Sequence, residues 1–225
     1  MSIIKSKKRG ILMVVSGPSG AGKDTVCQEL IKRNSNIWIS ISCTSRKPRK
    51  GEIDGESYFF LTEEEFEKKI DAGYLLEYAK YNGNYYGTPK DKINEYLDKG
   101  IDVILVIEVQ GAKKIKELVK DAIFVFILPP NMKELKRRLT NRGTEDKEVI
   151  LNRFKTAYQE INELSKYNYV VINDQVDKAA SKIESILISE KCRIERIEEV
   201  FVSTNEEEMH ELLMDKEFDN SVHEI

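Results

Sequence analysis

Cysteine and histidine are scarce. The 225 residues hold three cysteines (Cys27, Cys43, Cys192), with no CxxC pair, and two histidines. An odd count without metal spacing excludes a disulfide scaffold or a zinc module and leaves reduced, cytoplasmic thiols as the economical expectation. Long apolar runs are also missing. The longest, such as Ala122–Pro130 and Ile101–Ile107, fall far short of the ~20 residues that span a bilayer. The first ten residues, MSIIKSKKRG, carry charge but no apolar h-region, so no secretory signal is expected. Glycine and proline are sparse, at 12 and 5, which removes collagenous and low-complexity classes. No interleaved basic and aromatic array marks a nucleic-acid surface.

What is present is an ordinary globular composition, 40% hydrophobic and 33% charged, in a chain long enough to bury its own core. The net charge of −3 conceals an asymmetry. Residues 195–225 hold 11 Asp/Glu against Arg196 and Lys216, leaving 34 Lys/Arg and 28 Asp/Glu in residues 1–194. A mildly basic body suits an anionic ligand.

The run ILMVVS at 11–16 reads as a buried parallel strand, followed by a helix from Gly22 to about Lys32. Further buried-strand runs are Val103–Val109, Ala122–Leu128 and Tyr169–Ile172. Helical spacing recurs at about Ala112–Lys120, Asn131–Asn141, Glu148–Leu164 and Val176–Ile197. Strands alternating with helices predict an α/β fold, a parallel sheet covered on both faces. Residues 36–88 differ, with short aromatic pieces (IWISIS, SYFF, YLLEYAKY, GNYYG) around one helix at Thr62–Ala72, where Thr62 and Glu65 form a capping box. They read as a small mixed-sheet subdomain inserted into the core. The polar stretch Thr140–Lys147 between two helices reads as a lid.

Gly17-Pro18-Ser19-Gly20-Ala21-Gly22-Lys23 fits G-x-x-x-x-G-K, directly after a strand and at the start of a helix. Glycines let the backbone aim successive amides at phosphate oxygens. The helix N-terminus adds its dipole, and Lys23 supplies a charge for the β and γ phosphates. These residues, with Asp24 and Thr25, are the expected ATP site. Asp24 stands where Ser or Thr usually holds Mg²⁺. Either the carboxylate ligates the metal, or it turns outward and favours the helix dipole.

A second anion site is expected after the strand at 37–41, in Ser42-Cys-Thr-Ser-Arg46-Lys-Pro48-Arg49. Pro48 keeps Lys47 out of helical conformation. Two guanidinium forks three residues apart on a stiff loop can clamp one phosphate, with Tyr58 and Tyr86 as hydroxyl donors. A solvated basic loop is the alternative on these residues alone.

The blocks GPSGAGK, SCTSRKPRKGE…GESYFF, LLEYAKYNGNYYGTPK, IEVQGAKKIK, FVFILPP and RRLTNRGTEDKEVILNRF occur in unbroken order from about Gly10 to Arg196. Together they resemble the guanylate kinases of the bacterial type. The resemblance implies a P-loop three-layer core (1–35 and 89–197) with a lid at about 140–155 and a GMP-binding mixed α+β subdomain (36–88). It implies transfer of the ATP γ-phosphoryl group to GMP, and to dGMP, with Mg²⁺ as cofactor. ATP and GMP are then the partners, with no nucleic acid and no membrane. Carried over by motif, Arg46, Arg49, Tyr58 and Tyr86 hold the GMP phosphate, and Ser42, Glu77, Thr88 and Glu108 read guanine. Arg138, Arg142 and Arg153 are the lid's phosphate-binding arginines, and Asn173 lies on the adenine side. Lys23, Arg46, Arg142 and Arg153 carry the catalysis. An ionised Glu77 accepts from guanine N1–H and the exocyclic amine together, a donor pair adenine lacks, and discrimination of this kind can reach about 10⁴.

Two positions depart from the family pattern. Asp24 is one; Val106 is the other, where many relatives carry an acid two residues before the Glu108 position. The expected Mg²⁺ environment is therefore phosphates and water with Asp24 or Glu108, since this ion keeps several waters and uses few protein ligands. The alternatives are a kinase for another monophosphate and a non-catalytic binding module on the same fold. The tail 198–225 lies outside the resemblance, and its acidic composition makes disorder the expectation.

Overall fold

The computed structural model describes residues 4–6, 9–49, 51–81, 83–140 and 147–200. In chain order the first elements are β1 (Ile4–Ser6), β2 (Leu12–Ser16), α1 (Lys23–Arg33), β3 (Ile37–Ile39), β4 (Cys43–Thr44) and β5 (Phe59–Phe60). Next come α2 (Glu63–Asp71), β6 (Leu75–Tyr81), β7 (Asn84–Pro89), α3 (Asp91–Asp98), β8 (Asp102–Val106) and α4 (Val109–Leu118). The last are β9 (Ile123–Leu128), α5 (Met132–Thr140), α6 (Lys147–Ile161), β10 (Tyr169–Ile172), α7 (Val176–Lys191) and β11 (Ile197–Val200).

Five strands form an all-parallel sheet in the order β10-β9-β2-β8-β3. The period-2 pleat divides β2 between two cores. Met13 and Val15 join Val26, Cys27 and Leu30 of α1 and Ala179, Ala180 and Ile183 of α7. Leu12 and Val14 join Ile93 and Leu97 of α3 and Ala112 and Ile115 of α4. Helices on both faces give the expected α/β architecture. β2 is central, so the loop leaving its carboxyl end opens at the middle of the sheet edge, where ligands of such sheets bind.

A separate four-stranded mixed sheet has the order β5-β4-β7-β6. Helix α2 lies against it through Phe66, which is fully buried and stacks on Tyr85 at 5.1 Å. The capping box forms as expected: Glu65 N–H donates to Thr62 Oγ1 at 3.1 Å, and Thr62 N–H donates to Glu65 Oε2 at 2.7 Å.

Three sequence expectations need correction. Ile37–Ile39, expected in the insertion, pairs with β8 in the parallel sheet, so the separate sheet begins at Cys43. Tyr169–Ile172, expected as a buried strand, is an edge strand: Val171 is buried in the core, but Val170 and Ile172, which point to the opposite face of the sheet, are exposed. The last helix, expected to reach Ile197, ends at Lys191. Residues 197–200 instead pair antiparallel with Ile4–Ser6, and that ladder gives their backbone groups partners outside a helix. Residues 201–225 of the expected tail lie outside the described residues. Among those described, no helix is long and apolar enough to cross a membrane.

Candidate active site

The turn from β2 into α1 depends on its glycines. Gly17 has φ 142° and Gly22 φ 88°, conformations that L side chains rarely adopt. A Cβ at Gly17 would lie 2.2 Å from the Ile127 carbonyl oxygen, and one at Gly22 would lie 2.5 Å from Asn173 Nδ2. Gly20 shares the positive φ, and Ala21 N–H closes the turn onto Pro18 O at 3.1 Å. Lys23, nearly buried, folds its ammonium back over the loop. Nζ donates to Gly17 O at 2.7 Å and lies 3.6 Å from Glu108 Oε2. Asp24 and Thr25 are exposed in the first turn of α1, where a carboxylate favours the helix dipole.

Two arginines expected at the phosphates, and Asn173, expected on the adenine side, hydrogen-bond to this loop. Asn173, buried, donates from Nδ2 to Ala21 O at 2.8 Å. Arg138 donates to the same carbonyl at 3.2 Å, to Asn173 O at 3.0 Å, and to Glu134 Oε1 at 2.8 Å. Hydrogen bonds from Arg137 and Arg138 pull the Glu134 carboxyl down to about 2, so this ion pair is complete at neutral pH. Arg153 reaches the loop from α6, donating from Nη2 to Ser19 Oγ at 2.6 Å. Arg142 lies outside the described residues.

Glu160 follows Arg153 by two helical turns and so shares its face of α6. Both are buried. Burial, then the charge of Glu108, pushes the Glu160 carboxyl up to about 7, against the pull of Lys23 and of the Ser19 backbone amide.

An open cleft beside the loop is lined by Ser42, Tyr58, Glu77, Tyr86, Glu108 and Gly111, among others. Glu77 is 6% exposed, and its Oε1 accepts from the Thr88 hydroxyl at 2.8 Å. Burial raises its pKa, while Thr88 and Lys114 oppose the rise. A base offering two donors would return the hydrogen bonds that this carboxylate loses by leaving water.

Arg46 is held by a bidentate ion pair with Glu52, at 2.8 and 3.0 Å, and its guanidinium lies 5.5 Å from the centre of the Tyr58 ring. Burial lowers the Arg46 pKa, but Glu52 and Tyr86 outweigh it and leave it raised. Glu52 also accepts from the Arg49 backbone N–H at 2.6 Å, while the Arg49 side chain is exposed. The Tyr58 and Tyr86 rings meet edge-on at 6.2 Å. Burial pushes the Tyr58 phenol up, so it stays a neutral donor.

Ser42, Tyr58, Glu77, Tyr86 and Glu108 thus line one cleft, with Thr88 joined to it through Glu77 and Arg46 through Tyr58. The phosphate loop meets that cleft at the Lys23–Glu108 pair. Four residues of the neighbourhood were not singled out from the sequence: Glu52, Tyr81, Gly111 and Glu160. The spacing Arg46-x-x-Arg49-x-x-Glu52 is a signal that could have found the first. The others come together only through the fold.

The environment fits Mg²⁺. Glu108 Oε2 is buried without a hydrogen-bond partner, beside the lysine of the phosphate loop, and a carboxylate oxygen suits this hard ion. Among the described residues no three His, Cys, Asp or Glu side chains cluster as a metal-binding group.

A guanylate kinase family model matches residues 9–190. The guanylate kinase of Clostridium tetani is 57% identical over 208 residues, 92% of this chain and all of that protein. The guanylate kinase of Clostridium perfringens is 53% identical over 215 residues, 96% of this chain and all of its own. The crystal structure of guanylate kinase from Anaplasma phagocytophilum superposes with a TM-score of 0.74 at 33% identity, covering 96% of this chain and 99% of that one. With the motif order, the two sheets and these full-length matches in agreement, the chain belongs to the guanylate kinase family.

Proposed function

We propose that this chain transfers the γ-phosphoryl group of ATP to GMP, giving ADP and GDP, and that it accepts dGMP as well. The observation that carries the assignment to GMP is Glu77, a buried carboxylate on the wall of the cleft, hydrogen-bonded to Thr88. Guanine offers it N1–H and the 2-amino group, whereas adenine would leave it buried and unpaired. Ser42 and Glu108 line the same cleft and complete the base site.

Phosphoryl transfer asks the protein for in-line placement and for neutralisation of charge on the transferred group. Arg46, Arg49, Tyr58 and Tyr86 hold the GMP phosphate as the attacking group. Glu52 pre-orients the Arg46 fork and shares it when the phosphate arrives. The amides of residues 17–25 wrap the ATP phosphates, and Lys23 leaves Gly17 O for their β and γ oxygens. Arg153, parked on Ser19 Oγ, turns with Arg142 to the transferring phosphoryl group. Arg138 and Asn173 keep the loop in shape, and Asn173 Oδ1, buried without a partner, is the acceptor toward adenine. Mg²⁺, carried by ATP and water-ligated beside Glu108 or Asp24, would supply charge neutralisation across the phosphates. A core that includes 1–35, the strand Ile37–Ile39 and 89–197, a GMP subdomain whose own sheet begins at Cys43 and which runs to about 88, and a lid at about 140–155 belong to this proposal, as does a cytoplasmic location.

Release of ADP from ATP and Mg²⁺ with GMP, dGMP, AMP, CMP and UMP offered separately is the test. Turnover with GMP and dGMP and little with the others is expected. Equal turnover with AMP would refute the role of Glu77. No turnover with any acceptor would refute the activity.

A further inference from the structure

Gly111 is the third residue of α4, and its φ is not in the left-handed region. No turn or backbone strain calls for glycine there, and alanine is the better helix former. The reason lies across the helix. A Cβ at 111 would sit 2.9 Å from Glu77 Oε2, 3.2 Å from Glu77 Cδ and 3.4 Å from Ile107 Cδ1. Real Cβ atoms essentially never approach a neighbour that closely. The carboxylate cannot retreat without loss, because Oε1 is held by the Thr88 hydroxyl at 2.8 Å and the side chain is 6% exposed. Both residues line the cleft, so the open direction for a displaced carboxylate is toward the bound base.

We propose that Gly111 is a specificity-determining residue of the acceptor site: its missing side chain leaves room for the Glu77 carboxylate close against α4. It thereby sets the depth at which a purine presenting a ring N–H and a 2-amino group docks. The proposal rests on Glu77 as the guanine reader. Steric room at 111 and hydrogen bonding at 77 act as one device, and neither selects the base without the other.

The test is Gly111→Ala, alone and in a Glu77→Asp background, assayed with GMP, IMP and AMP, with ATP affinity measured by calorimetry. A misplacement of the order of 1 Å can cost about a hundredfold. On that scale, kcat/KM for GMP in the single variant is expected to fall about a hundredfold, chiefly through KM. ATP affinity should be unchanged, and the preference for GMP over IMP should narrow, since IMP lacks the 2-amino group. Aspartate is one methylene shorter and withdraws from position 111. Adding Gly111→Ala to Glu77→Asp is therefore expected to cost no more than about threefold, the non-additivity of residues in contact. That pair of variants keeps the test decisive if the single variant does not fold.

A Gly111→Ala enzyme with the wild-type KM for GMP would overturn the proposal, as would equal losses in both backgrounds, which would mark general packing damage. A wild-type chain inert toward GMP would instead overturn the functional assignment, and this proposal with it.

Discussion

Glu160→Gln is the substitution whose effect the structure specifies most fully. Glutamine keeps the shape of the side chain and an acceptor for the Ser19 amide, but cannot ionise. In the native protein, burial and then the Glu108 charge raise the carboxyl from 4.5 to about 7. The native state therefore holds its proton at pH values where the unfolded chain has released it. Stability from this group is fully present below pH 4.5 and is lost as pH rises through about 7. At about 1.4 kcal/mol per tenfold change in proton affinity, the loss above pH 7 has a ceiling of about 3 kcal/mol. Imperfect replacement of the Ser19 hydrogen bond offsets about 1 kcal/mol of what glutamine recovers. At about 2–4 °C per kcal/mol for a chain of this size, the variant should melt about 4–8 °C above wild type at pH 8.5. Near pH 5 the two should differ little. Calorimetric scans of both proteins across pH 5–8.5 measure this difference with every other titrating group in common. A difference that stays flat or shrinks as pH rises would refute the assignment of a strained carboxylate behind the phosphate loop.

The loop and the clamp give further expectations. Gly22→Ala forces a positive φ on alanine and a Cβ to 2.5 Å from Asn173 Nδ2. It should cost about 1–3 kcal/mol of stability and weaken ATP binding, as read by melting curves with and without ATP. Lys23→Ala removes the loop's charge and should lower kcat by about a hundredfold or more, with the melting temperature of the free protein changed far less. Arg46→Lys replaces a fork by a point charge. It loses the bidentate geometry seen with Glu52, and KM for GMP should rise about tenfold, while KM for ATP stays put.

What could be read in the sequence was local or motif-borne. The phosphate loop is legible because its glycines, its lysine and the flanking strand and helix are contiguous. The capping box at Thr62 and Glu65 is legible because both partners lie within one turn. The paired arginines 46 and 49 could be found for the same reason, but not the fact that Glu52 already holds the first of them. The sheet membership of Ile37–Ile39 was not legible: three residues carry too little pattern to say that their partner is Asp102–Ile104, more than sixty positions away. The end of the last helix at Lys191 was hidden likewise, since Ile197 and Val200, three apart, fit a helical period better than a strand's alternation. Glu160 and Gly111 are silent in the sequence. The first is one glutamate on a charged helix and the second one glycine in another, and only packing against Ser19 and Glu77 gives them meaning. Arg138 shows the reverse: the motif pointed at the phosphates, and the structure ties its guanidinium to Ala21 and Asn173, holding the loop that binds them.

Transfer itself is tested most directly by following the phosphorus atom. With ATP labelled in the γ position and unlabelled GMP and Mg²⁺, the label should appear in the β-phosphate of GDP, mole for mole with ADP formed. It should do so far faster than inorganic phosphate appears. Label found in inorganic phosphate alone, or in no product while both nucleotides bind, would contradict the account.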